Sequence, residues 1–410
     1  WITPAQMDEA QRKLEHRLST ASLLQINEEK YFLIRDGIPV TVKKPGGKTE
    51  EKRAVVIDFQ NPGNNCFLAI KELKIHGDLY RRRTDIVGFV NGIPLLFIEL
   101  KKNTVDVQDA YTNNYTDYQD TIPHLFYYNA FLILSNGTEA KVGTLGSKYE
   151  FFHEWKRLSE QEQGSVALET MLRGICKKEN FLDLLENFIL FDHSGGHTAK
   201  ILARNHQYLG VNEAVKAYEA RKLNNGKLGV FWHTQGSGKS LSMVFYAHYL
   251  QKALESPTIV VITDRNDLDN QLYGQFSRCR DFLRQTPQQA ESRQHLRELL
   301  AGRQANGIIF TTMQKFEETG EPLSERRNIV VMADEAHRGQ YGLTEKVVTR
   351  QNEKGELEVR TSIGTARIIR DSLPNATYIG FTGTPISARD RSTRDVFGDY
   401  IDIYDMTQAV

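Results

Sequence analysis

Residues 233–240 read HTQGSGKS, between the apolar run LGVFW (228–232) and the helical pattern LSMVFYAHYLQKAL (241–254). A strand, a tight glycine-rich turn and a helix in that order form the context of a phosphate loop. Backbone N–H groups of such a turn point toward an anion, and the helix N-terminus adds a favourable dipole. Thr234, Gln235, Gly236, Ser237 and Gly238 would form the cradle. Lys239 would reach the β- and γ-phosphates of a nucleoside triphosphate, and Ser240 would ligate Mg²⁺. Glycine is usual at the first position and His233 stands there, but the G-x-G-K-S core is intact. A chance glycine-rich turn would need neither flank.

The flanks extend into a regular pattern. TIVVIT (258–263), GIIFTT (307–312), IVVMA (329–333) and TYIGFT (377–382) are short, β-branched and continuously apolar, with helical stretches between them. Such strands belong to a parallel sheet covered on both faces. Polar motifs follow them: TDR (263–265), TTMQ (311–314), DEAH (334–337) and TGTP (382–385). Ligands of open α/β sheets bind outside the carboxyl ends of the strands. Five polar segments at five strand ends therefore predict one ATP and nucleic-acid surface. Asp334 would hold Mg²⁺, and Glu335 would orient or deprotonate the attacking water.

These motifs resemble the first RecA-like domain of superfamily 2 helicases and translocases. The resemblance implies that TGTP couples hydrolysis to movement and that TDR and TTMQ touch the DNA backbone. RNHQ (204–207) resembles the element that reads adenine through Gln207; an ordinary polar helix residue is the competing reading. A second RecA-like domain, with its arginine fingers, would follow residue 410. The chain by itself is thus expected to bind ATP, hydrolyse it weakly and not translocate. A chain opening on Trp1 also reads as trimmed from a longer protein.

The first 150 residues are different in texture. AVVIDF (54–59), DIVGFV (85–90), PLLFIEL (94–100) and FLILSNG (131–137) read as strands broken by turns. Residues 151–200, including EFFHEWKRL and VALETMLRGICKKENFLDLLENFILF, read as helical, with a joint at Gly195-Gly196. Within RRRTDIVGFVNGIPLLFIELK (81–101), Asp85 and Glu99 could share a divalent metal, and Lys101 lies on the face of Glu99. The metal would activate water and polarise a phosphate, and Lys101 would stabilise the developing charge. This pattern resembles the D…E-x-K core of PD-(D/E)XK nucleases. Register decides the matter, because a regular two-residue turn at Asn91-Gly92 would pair Asp85 with Ile98 and turn it away from Glu99. Pro94 predicts an irregular strand start, so a bulge, a three-residue turn or a bent strand is expected there.

NEEKYFLIRDGIPV (27–40), IDFQNPGNNCFLAI (57–70), the hairpin, IPHLFYYNAFLILSNGTEAKVGT (122–144), HTQGSGKSLSMVF, TDRNDLDNQL, MADEAHRGQYG and LPNATYIGFTGTPI together resemble the R subunit of type I restriction enzymes. The likeness covers nearly the whole chain. It implies an α/β architecture. A PD-(D/E)XK-like endonuclease domain (1–150) is joined by a helical linker (151–200) to a RecA-like, superfamily 2 helicase, parallel-sheet domain (201–410). It implies ATP and Mg²⁺ as cofactors. The implied partners are double-stranded DNA and the methyltransferase (M) and specificity (S) subunits. The implied activity is cutting of unmethylated DNA after ATP-driven translocation. Two departures stand out. Thr84 replaces the family's frequent Pro before the metal Asp, and Asn114-x-x-x-Tyr118 replaces its Gln-x-x-x-Tyr, which leaves Tyr118 between a site role and a half-buried aromatic.

Composition sets the outer limits. Hydrophobic residues are 40% and charged residues 25%, values of ordinary globular chains that exclude wholesale disorder. Lys plus Arg equals Asp plus Glu at 52 each, which excludes a uniformly basic coat but not a local groove. No apolar run approaches the roughly 20 residues of a membrane span. Cys66, Cys176 and Cys279 are scattered, which fits a reducing cytoplasm and excludes a disulfide scaffold. Arg81-Arg82-Arg83 reads first as a solvated face and second as a phosphate contact. His193 and His197 read as loop residues, and 347–364 as a projecting hairpin. Three other readings compete: a repair helicase–nuclease, a docking module with a degenerate nuclease site, and an RNA helicase.

Overall fold

A computed structural model describes residues 2–45, 47–159, 168–252, 255–263, 266–316, 321–335, 346–351, 357–362, 365–384 and 396–405. The chain divides into two compact units, Trp1–Asn205 and His206–Val410. Among the described residues no helix is long and apolar enough to cross a membrane.

The first unit opens with helices α1 (Pro4–Glu15) and α2 (Leu23–Asp36), each started by a capping box. Strands β1 (Ile38–Lys43) and β2 (Thr49–Ala54) pair as a hairpin. Then come β3 (Phe67–Lys71), β4 (Lys74–His76), β5 (Arg81–Arg83), β6 (Ile86–Val90) and β7 (Ile93–Leu100). A helical run follows: α3 (Val107–Asp109), a π turn (Ala110–Tyr115) and α4 (Thr116–Thr121). Strands β8 (Phe131–Ser135) and β9 (Ala140–Gly143) complete a mixed five-stranded sheet of order β3-β6-β7-β8-β9, in which only β7 and β8 run parallel. β7 is buried along nearly its whole length, as a central strand with both faces covered must be. Phe97, Tyr115, Tyr118, Phe126 and Leu134 join the sheet to the helical run.

Two expectations for this unit are corrected. AVVIDF is not a strand; only Ala54 belongs to one, and the rest is irregular. The stretch 151–200 is only partly helical. EFFHEWKRL forms no α-helix, and His153 instead bridges Val142 through bonds of 2.8 and 3.0 Å. Helices α5 (Leu168–Ile175) and α6 (Lys178–Asn187) form, but Phe188 leaves helical geometry. Strands β10 (Ile189–Asp192) and β11 (Ala199–Leu202) then pair antiparallel, with Gly195-Gly196 as their turn and not a joint. A four-residue apolar run does not tell helix from strand by periodicity. His193 pairs with Glu28 at 2.8 Å.

The second unit follows the sequence closely. Helix α7 (Asn205–Glu219) leads to β12 (Lys227–His233), α8 (Lys239–Lys252), β13 (Thr258–Thr263), α9 (Asn266–Arg278) and α10 (Arg280–Leu283). Next are β14 (Gln288–Gln289), α11 (Arg293–Ala301), β15 (Ile308–Thr312) and β16 (Ile329–Ala333). Strands β17 (Lys346–Gln351) and β18 (Leu357–Ser362) pair as the expected hairpin, whose turn lies outside the described residues. Helix α12 (Thr365–Ser372), β19 (Thr377–Thr382) and β20 (Tyr400–Tyr404) close the unit. The sheet order is β14-β15-β13-β16-β19-β12-β20, and every pairing is parallel. All carboxyl ends therefore open on one edge, which fits a RecA-like arrangement.

Candidate active sites

The first site is built by a register irregularity. Asn91 (φ 51°) and Gly92 (φ 82°) form a two-residue turn with both residues left-handed, the geometry that matches strand twist. Val90 pairs with Ile93 and Phe89 with Pro94, but Gly88 pairs with Leu96, so Leu95 is an extra residue bulged out of the ladder. The Leu95 carbonyl is satisfied elsewhere, by Ala130 N at 2.7 Å and Asn129 Nδ2 at 3.2 Å. Beyond the bulge Ile86 faces Ile98, which brings Asp85 level with Glu99. The turn is thus the two-residue form, and the bulge restores the register that such a turn alone would lose.

Asp85 Oδ2 accepts a 2.7 Å bond from Leu100 N, which fixes that carboxylate at the strand edge. Glu99 is 3% exposed, and its Oε2 is buried without a hydrogen-bond partner. Burial pushes the Glu99 carboxyl up to about 8; the Asp85 charge adds to the rise and Lys101 opposes it. Lys101 Nζ lies 3.9 Å from Glu99 Oε1 and donates to Asn114 Oδ1. Asn114 Nδ2 donates to Tyr118 Oη at 3.3 Å, and Tyr118 Oη donates to Arg83 O at 3.2 Å. Asn114 is therefore long enough to reach the lysine, and the π turn that carries it sits at the site, as π turns often do. Thr84 also has a physical reason: its N donates to Leu73 O at 3.0 Å, a bond proline lacks.

Two carboxylates with one fixed and one orphaned oxygen suit a hard divalent cation, which is commonly held by one or two carboxylates plus water. Among the described residues no group of three His, Cys, Asp or Glu side chains gathers. Asp85 and Glu99 would hold such an ion together with water.

The second site lies on the carboxyl edge of the parallel sheet. The loop 234–238 links β12 to α8, and Gly236 (φ 85°) and Gly238 (φ 84°) take left-handed conformations there. A side chain at Gly238 would also meet Gln207 Nε2 at 2.6 Å. Lys239 Nζ lies 3.1 Å from Glu335 Oε1 and 3.6 Å from Asp334 Oδ1. Lys239 and both acids are thus in one cluster, although 96 positions separate Lys239 from Glu335. Burial raises the Asp334 carboxyl above the ordinary range, and Lys239 pulls it back. Glu335 holds φ 53°, unusual for a residue with a Cβ and a known mark of functional sites. Gly383 packs against Lys239 Nζ (3.5 Å from its Cβ position) and Gln235 N (3.7 Å), so the TGTP segment meets the loop. Asp264, Arg265, Ala336, His337 and Pro385 lie outside the described residues.

Gln207 is buried and donates from Nε2 to Gly238 O at 3.0 Å, so its amide braces the loop. His206 does the same through Nε2 and Ser237 O at 2.8 Å, and stacks on Tyr404 at 3.9 Å. His233, fully buried, is bonded through Nε2 to Asp402 Oδ2 on β20. Asp402 and Tyr404 carry no local sequence signal; only the adjacency of β12 and β20 brings them to the loop.

Residues 2–151 match the type I restriction enzyme R protein N terminus family, and residues 206–410 match the SWI2/SNF2 ATPase family. The type I restriction enzyme HindI endonuclease subunit of Haemophilus influenzae is 45% identical over 405 residues, 94% of this chain and 37% of that one. The chain belongs to the type I restriction enzyme R subunits. Two R-subunit relatives from Methanocaldococcus jannaschii, the putative MjaIXP and MjaVIIIP endonuclease subunits, are 33% and 27% identical. They cover 92% and 89% of this chain and 37% and 36% of their own lengths. The chain thus spans little more than a third of the R subunits it matches.

Proposed function

We propose that this R-subunit chain is the nuclease and ATP-binding portion of an ATP-dependent type I restriction endonuclease acting in the cytoplasm. On this reading residues 1–150 are a PD-(D/E)XK-like nuclease domain and 151–200 connect it to a RecA-like domain at 201–410. The observation that carries the nuclease reading is the bulge at Leu95, which brings Asp85 level with a buried Glu99 beside Lys101. Mg²⁺ bound by Asp85 and Glu99 would supply an activated water and charge neutralisation for phosphodiester hydrolysis. Lys101, held by Asn114, would stabilise the charge that develops on the phosphate. Leu100 N holds Asp85 in place, and Tyr118 holds Asn114.

In the second unit Thr234, Gln235, Gly236, Ser237 and Gly238 would wrap the phosphates of ATP, with Gln207 and His206 bracing the loop from behind. Lys239 would leave its acid partners for the β- and γ-phosphates. Ser240 and Asp334 would hold Mg²⁺, and Glu335 would orient water. Double-stranded DNA would be the substrate, and M and S subunits would choose unmethylated sites.

The test is cleavage of an unmethylated circular plasmid by the full R subunit with its M and S partners, Mg²⁺ and ATP. Glu99→Ala should stop cutting while ATP turnover persists, and Lys239→Ala should stop both. Cutting by Glu99→Ala would reduce the first domain to a docking module.

A further inference from the structure

A two-stranded ribbon with a cationic outer face adjoins Asp85. Strands β3 and β4 continue one another, as do β5 and β6, in a single antiparallel register. Lys71 faces Ile86, Lys74 faces Arg83, and between them Glu72 N donates to Asp85 O at 2.8 Å and Thr84 N to Leu73 O at 3.0 Å. Glu72 takes φ 53°, and the ladder bends there. Beyond the bend Leu73 and Ile75 pack toward the aromatic core. Arg82 faces the same way and makes a bidentate pair with Asp117 at 2.6 and 3.0 Å.

The other face is cationic and open. Lys74, His76, Arg81 and Arg83 are exposed, and they stand in direct cross-strand pairs: Lys74 opposite Arg83, His76 opposite Arg81. The Lys74–Arg83 pair sets like charges directly opposite each other, which is destabilising on a ladder. Arg83 has one exposed acid neighbour, Glu72 at 3.6 Å, a contact worth little. Lys74, His76 and Arg81 are in no ion pair among the described residues. Folding alone therefore gives no reason for this face, whereas a polyanion would relieve it. At the tip Leu79 is 87% exposed and Tyr80 is half exposed under the Arg82 guanidinium, 5.0 Å from its ring. A two-stranded ribbon has the width of a DNA major groove, and apolar tips make contacts to bases and sugars. Asp85 lies two residues beyond Arg83.

We propose that the β4–β5 arm is the element by which the first unit docks duplex DNA, its outward cations on phosphates and its tip in a groove. The inference rests on the nuclease reading for its purpose but not for its measurement. The experiment follows a short fluorescent DNA duplex by anisotropy against the whole chain in EDTA, over a salt series. The triple variant Lys74→Ala/Arg81→Ala/Arg83→Ala is compared with a matched loss of three exposed cations outside the arm, Lys43→Ala/Lys177→Ala/Lys222→Ala. The arm variant should bind about tenfold more weakly. Its slope of log affinity against log salt should shrink by about 2 to 3, since each phosphate contact contributes about 0.9. Leu79→Ser should weaken binding with the slope retained. Equal behaviour of the two triple variants would overturn the proposal, as would an unchanged slope. Because no cutting occurs in EDTA, failure of Glu99→Ala to stop cleavage would sink the nuclease reading and leave this result standing.

Discussion

Single residues are where burial and charge collide. Lys200 is fully buried, donating to Asn27 Oδ1 at 2.8 Å and Asn129 O at 2.6 Å, and burial pulls its ammonium down to about 7. The unfolded chain keeps a lysine near its ordinary value of about 10.4, so between about 7 and 10 it binds the proton that the native state has lost. Stability of the first unit should therefore rise with pH across that window, by at most about 1.4 kcal/mol per pH unit. Lys200→Met should flatten the rise in urea titrations at pH 7 and pH 9.5; an equal rise in both proteins would refute the assignment. A second case is the buried His233–Asp402 bond behind the phosphate loop. Asp402→Asn removes a charge-assisted bond of the kind worth about 1.5–3 kcal/mol. ATP affinity, followed with a fluorescent analogue, should fall about tenfold, and unchanged affinity would show that the pair does not shape the loop. Lys239, Asp334 and Glu335 were legible because each sits in a local motif. Asp402 and Lys200 were not, since YIDIY and AKIL carry no motif and their neighbours come from distant segments.

Among the elements, the hairpin of β6 and β7 shows how far local chemistry reaches. Asn91-Gly92 announces the turn, and Pro94 announces an irregular start as a bulge, a three-residue turn or a bend; of these the bulge forms, at Leu95. Deleting Leu95 removes only the unpaired residue and should give a regular hairpin in which Asp85 still stands opposite Glu99. Plasmid cutting in the full complex should then persist with ATP turnover within about twofold, and loss of cutting with ATP turnover intact would mean that the site needs the bulge itself and not only the register. Far-ultraviolet circular dichroism checks that the fold survives. The β10–β11 pair was misread as helix because Phe188 to Phe191 form a short apolar run that suits either structure, and only pairing with Ala199–Leu202 decides.

For the whole molecule, five of the seven parallel strands of the second unit were readable one by one, but β14, β20 and the strand order were not. Neighbours in that sheet come from distant segments, and β20 beside β12 is the placement that completes the loop's support. Two compact units with separate cores predict two thermal transitions. A ligand that binds only one folded unit raises only its transition. Mg²⁺ with a non-hydrolysable ATP analogue should lift one transition by several degrees and leave the other in place, as read by calorimetry; a common shift of both would mean the units melt as one. The one-sided sheet also has a practical side. The described motif residues of the second unit gather at the carboxyl edge, and the turn preceding β12, with Leu223 exposed, lies at the opposite end of a strand roughly 20 Å long. With exposed Cys66 replaced, a cysteine introduced at Leu223 would serve as an anchor for a dye or bead. A single molecule could then be held by the end of the sheet that takes no part in its chemistry.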